Sequence, residues 1–76
     1  MTRHDCPVLV PEVCEAGEFA NAFRIMAAGG LEVVLDFCVY SEVEDVARVV
    51  CRIRMNRMFL PDIRARLRES LRELPA

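Results

Sequence analysis

The chain has no Trp, no Lys, one Tyr, one His and three Gly. Each shortage removes a class of chemistry. The single histidine, His4, sits in a proline-containing leader, so a Cys–His pair would have to join it to Cys6 or Cys14 with nothing to orient the base. Without Lys there is no Gly-x-x-x-x-Gly-Lys phosphate loop, and Gly29-Gly30 reads as a turn. The four cysteines, at 6, 14, 38 and 51, form no Cys-x-x-Cys pair, so the zinc-ribbon spacing is missing. A looser set of His4, Cys6 and Cys14 would still need a fourth ligand. No apolar run approaches the roughly 18 residues of a membrane span. The first residues lack the apolar stretch and cleavage site of a signal peptide, so a cytoplasmic location is expected.

What is present is apolar and charged. Hydrophobic residues make up 54% of 76 positions, more than one small monomer readily hides. Charge is unevenly spread. Residues 1–45 carry nine acids against two arginines, a net −7, and residues 46–76 carry eight arginines against three acids, a net +5. Such asymmetry fits either a basic binding face or acidic and basic parts that pair within a fold or between subunits.

Periodicity defines the elements. Residues 1–17 hold Pro7, Pro11 and Gly17 and read as an extended arm, with Val8–Val10 a candidate short edge strand that Pro11 ends. Residues 18–27 alternate with period two, Phe19, Asn21, Phe23 and Ile25 on one side, and predict a strand. Ala28-Gly29-Gly30 predicts a hairpin turn. The second strand, from Leu31 to Tyr40, places Leu31, Val33, Leu35, Phe37 and Val39 on one face. An acidic loop, 41–45, leads to a third strand over 46–56. Strict alternation there puts Ala47, Val49, Cys51, Ile53 and Met55 inward, with Arg48, Val50, Arg52, Arg54 and Asn56 outward. Antiparallel pairing would bring Glu32 and Asp36 near Arg48, Arg52 or Arg54. Pro61 and Asp62 open a helix whose stripe is Ile63, Leu67, Leu71 and Leu74, and Pro75 ends it.

The expected fold is α+β: an arm over 1–17, then a single β-β-β-α domain over 18–76. It is a three-stranded antiparallel meander followed by an amphipathic helix, with one sheet face covered by the helix. The other face mixes charges with apolar residues. Ala22, Val34, Cys38, Tyr40 and Val50 are its candidate oligomer contacts.

Three stretches, Phe19-Ala20-Asn21-Ala22-Phe23-Arg24, Leu35-Asp36-Phe37 and Ala47-Arg48-Val49-Val50-Cys51-Arg52-Ile53, followed by an amphipathic helix, resemble the domain of unknown function 3467 family. The resemblance spans about residues 18–74. It implies this element order and a bacterial or phage source, and it brings no activity and no site residues. Met58-Phe59-Leu60-Pro61 stands where that family commonly has a Ser-Pro before its helix. Strands followed by a helix are also similar, at fold level alone, to SecB-type export chaperones.

No acid, base or nucleophile has convincing company, so no enzyme, no cofactor and no metal site is expected. The leading expectation is a non-catalytic protein-interaction module acting as a homo-oligomer: an adaptor, a small chaperone or a structural component. The alternative is nucleic-acid binding through Arg48, Arg52, Arg54, Arg64, Arg66, Arg68 and Arg72, because guanidinium groups grip phosphate. Aromatic interleaving and a recognition-helix motif are both missing from that set. On freshly purified protein, thiol titration with metal analysis is expected to find four titratable thiols and no zinc. Two protected thiols, or stoichiometric zinc, would contradict that reading.

Overall fold

A computed structural model describes residues 6–75. Three strands, β1 (Ala22–Ala27), β2 (Glu32–Ser41) and β3 (Val46–Asn56), form one antiparallel sheet in the order β1-β2-β3. A 3-10 turn over Arg57–Phe59 leads into helix α1 (Leu60–Glu73). The class is α+β, as the periodicity predicts.

Local chemistry explains the element ends. The β1–β2 hairpin closes through the Ala28 N–H on the Glu32 carbonyl and the Glu32 N–H on the Gly29 carbonyl. Gly29 and Gly30 both take positive φ, 84° and 56°, a region open to glycine at little steric cost. Strand β1 starts later than the alternation suggests. Residues 18–20 lie outside the sheet, and Asn21 seals its end. Its side-chain amide donates to the Tyr40 carbonyl at 3.2 Å, and its Oδ1 accepts from the Tyr40 N–H at 2.7 Å. At the other hairpin Asp45 is left-handed (φ 56°), a conformation Asp tolerates. Asp45 accepts from the Tyr40 hydroxyl at 2.8 Å, which raises the tyrosine pKa above its ordinary value.

Asn56 starts the descent to the helix, its Oδ1 accepting the Met58 N–H at 2.8 Å. Pro61 lies in the first helical turn with Asp62 beside it, and Asp62 pairs with Arg66 one turn on. Leu74 is already extended, as the residue before a proline tends to be, and the helix stops there.

Two expectations need correction. The arm contains one 3-10 turn, Glu12–Cys14, and Val8–Val10 form no strand. Strict alternation also fails in β3. Phe37 pairs with Cys51 while Cys38 pairs with Val49, so Val50 is an extra residue, a β-bulge. Directly paired residues share a face. The bulge therefore moves Val49 and Ala47 to the side of Cys38 and Tyr40, and it puts Arg48 opposite Val39 on the other side. Arg48 is thus separated from Arg52 and Arg54.

The sheet has two unlike faces. One, the charged face, carries Ala22, Arg24, Val34, Asp36, Cys38, Arg52 and Arg54. The other, the apolar face, carries Phe23, Ile25, Val33, Leu35, Phe37, Cys51, Ile53 and Met55. The helix lies off the apolar face without closing on it. Phe23 remains 68% exposed, Leu67 60% and Leu71 69%. Among the described residues the only buried apolar side chains are Val33 and Cys38. The expected covering of one sheet face by the chain's own helix is therefore incomplete. Replacing Asn21 by Ala removes both bonds to the Tyr40 backbone and is expected to destabilise the sheet by about 1–2 kcal/mol. Urea unfolding followed by circular dichroism measures it, and an unchanged midpoint would show that Asn21 does not anchor β1.

Candidate functional site: a guarded carboxylate and an open apolar face

Register brings a buried aspartate together with two arginines. Arg24, Asp36 and Arg52 stand side by side on adjacent strands. Asp36 has no exposed surface and is bracketed by both guanidinium groups. Arg52 grips it bidentately, Nε to Oδ1 at 2.7 Å and Nη2 to Oδ2 at 2.9 Å. Arg24 adds Nε to Oδ2 at 2.8 Å. A buried charge is tolerable only when paired and hydrogen-bonded, and here both carboxylate oxygens are occupied. The bonds from Arg52, and then from Arg24, outweigh burial and bring the Asp36 pKa down to about 2. The carboxylate correspondingly raises the Arg52 pKa.

A carboxylate held this low is a poor general base. Its role follows from geometry: it fixes the register of three strands. A one-residue slip would carry Asp36 to the apolar face and leave both arginines unpaired. Below it in the sheet, Arg54 grips Glu32, with Nη2 at 3.0 Å from Oε1.

The arginine row expected to bind polyanions is therefore largely engaged. Arg52 and Arg54 pair on the charged face, Arg48 pairs with Glu44 at 3.3 Å, and Arg66 pairs with Asp62 at 3.2 Å. Arg64, Arg68 and Arg72 make no ion pair with another described residue. The seven do not form one surface: three belong to β3, split by the bulge, and four to the helix. Sequence reasoning paired Glu32 and Asp36 with the β3 arginines but missed Arg24. Placing β1 against β2 in register would have found it.

The candidate oligomer contacts also divide. Ala22, Val34, Cys38 and Tyr40 lie on the side of the guarded carboxylate, where Cys38 is buried at 6% exposure and Ala22 and Val34 are half-buried. Val50 does not join them. As the bulge residue it lines a hollow on the apolar face with Phe37 and Cys51. His4, the one histidine, lies outside the described residues. Cys6 and Cys14 are exposed, Cys51 is half-buried, and no described cysteine is in a disulfide. Among the described residues no three His, Cys, Asp or Glu side chains converge as metal ligands, and no helix is long and apolar enough to cross a membrane.

The apolar face holds two adjoining hollows. One, of about 740 Å³, lies between the sheet and helix α1. Phe23, Ile25, Leu35 and Phe37 face Ile63, Leu67 and Leu71 across it, with Arg64 and Arg68 at its rim. The other, of about 540 Å³, lies toward the arm and is bounded by Val13, Cys14, Glu18 and Ala20. Phe37 lines both. The fold and this surface define a small α+β protein with an open hydrophobic sheet face. Comparison with protein-family models, with curated proteins and with solved structures finds no match to the chain.

The Asp36 cluster has a pH signature. Its pKa is depressed in the fold, so its contribution to stability is complete above the ordinary value of 3.8 and is lost as pH falls toward 2. Carboxyl-carbon NMR is expected to show Asp36 titrating near 2. Asp36→Asn, which leaves two arginines without their counter-charge, is expected to melt several degrees lower at pH 7 and to lose less stability as the solution is acidified. Titration at the ordinary value would contradict the three-strand clamp.

Proposed function

We propose that this chain is a non-catalytic protein-interaction module that works as a homo-oligomer in the cytoplasm, in the manner of an adaptor, small chaperone or structural component. One observation carries the reading: the chain leaves its apolar face uncovered. The chain exposes 6974 Å², against about 4,700 Å² for a compact monomer of this mass, an excess that the exposed arm shares with the apolar face and the helix. Its radius of gyration is 15.1 Å, against roughly 11 Å for a compact domain of this length. A monomeric soluble protein seldom shows a continuous apolar area of this kind, and such areas mark association surfaces.

The arginines do not favour the nucleic-acid reading. Four of the seven candidates are paired within the chain, and two of the other three, Arg64 and Arg68, rim an apolar groove. Phosphate binding calls instead for available cations on a common surface.

Light scattering coupled to size exclusion, at micromolar concentration, is expected to give a mass at least twice the 8.7 kDa of the chain. A monomer across that range would overturn the proposal. A steeply salt-dependent gel shift with DNA or RNA from a monomeric sample would replace it with the nucleic-acid reading.

A further inference from the structure

We infer that the apolar face is closed by a second copy of this chain, related by a two-fold axis that lies between the two sheets over Phe37, so that helix α1 of each copy seats in the arm-side hollow of the other. The inference rests on the self-association proposed above and adds which face is used and in what arrangement.

Area is the first support. The chain exposes roughly 2,200 Å² beyond a compact monomer of its mass, spread over the arm, the apolar face and the helix stripe. Half of that surplus, from each of two copies, reaches the roughly 2,000 Å² at which obligate homodimer interfaces begin. On the charged face, by contrast, Asp36 is paired with two arginines and Cys38 is buried.

Geometry is the second. A two-fold interface is isologous: patch i of one copy meets patch j of the other, and j meets i. The apolar face is built in two parts that meet at Phe37. One part already has a helix beside it, and the other is bounded only by the arm. Rotation by half a turn about an axis over Phe37 brings the partner's helix over the part that lacks one. Each sheet then has its own helix beside one half and its partner's helix over the other. Leu67 and Leu71, which line the open hollow beside their own sheet and stay 60% and 69% exposed, are closed over from the partner's side.

Charge is the third. The described arm carries Glu12 and Glu15 and no base, and Glu18, which follows it directly, lines the arm-side hollow. The helix rim carries Arg64 and Arg68. The same half-turn that exchanges the hollows places each acidic arm against the partner's basic rim, twice per dimer. Opposite potentials across an interface fix its register, and like charges there oppose it. The −7 and +5 halves of the sequence thus become complementary surfaces.

A charge exchange tests this with the full chain. Glu18 and Arg68 are both exposed, and neither belongs to the sheet's hydrogen-bonding, so Glu18→Arg and Arg68→Glu should leave the circular dichroism of the fold intact. Each variant alone puts like charges together at two places in its dimer. Each is expected to dimerise about tenfold more weakly than the native chain, in line with two reversed exposed pairs. When equal amounts of the two variants are mixed, a heterodimer joins both substitutions at one contact, which restores an opposite-charge pair with its signs exchanged. Its other contact keeps the native pair. Native mass spectrometry should therefore show heterodimers well above the statistical half. Statistical mixing, or variants that dimerise as the native chain does, would overturn the arrangement while leaving self-association standing. A native chain that stays monomeric under the same conditions overturns both.

Discussion

The apolar face of the sheet governs this chain because no element among its described residues covers it. Three strands put Phe23, Ile25, Leu35, Phe37 and Ile53 on one surface. A single helix of 14 residues presents one narrow stripe to that surface. Burial of apolar area is the dominant favourable term in folding, at roughly 25 cal/mol per Å². A domain that buries little of it has little with which to oppose chain entropy. The association proposed for that face would add its own burial to the stability of the fold.

The guarded carboxylate complements that face. Apolar contacts are non-directional and tolerate slippage, whereas an aspartate held by two arginines does not. Arg24, Asp36 and Arg52 link all three strands through one residue, and they do so on the side away from the apolar surface. The charged face thereby sets which residues the other face presents. The Val50 bulge refines the result by moving Arg48 out of the Arg52 row and turning Val50 toward the arm-side hollow.

Much of this was legible in the sequence. Period-two alternation over 31–40 and 46–56, the Gly29-Gly30 turn and the leucine stripe after Pro61 gave the element order. Opposite charges at Asp36 and Arg52 anticipated one arm of the clamp. The bulge was not legible, because an extra residue in a Val-Val pair leaves no mark on composition. Arg24 was missed because the pairing of β1 against β2 sets its partner, and alternation alone does not fix that register. The open face was hidden for a different reason. Periodicity identifies which residues of a helix are apolar, but how far the helix closes on the sheet depends on the path of the Arg57–Phe59 turn.

The central claim is that the fold is complete only when two copies meet. The concentration dependence of thermal unfolding tests it most directly. If the apolar face is closed by a second chain, the unfolding midpoint rises steadily as protein concentration is raised from low to high micromolar. A midpoint that stays fixed over that range would show that one chain folds without help, and would contradict the account.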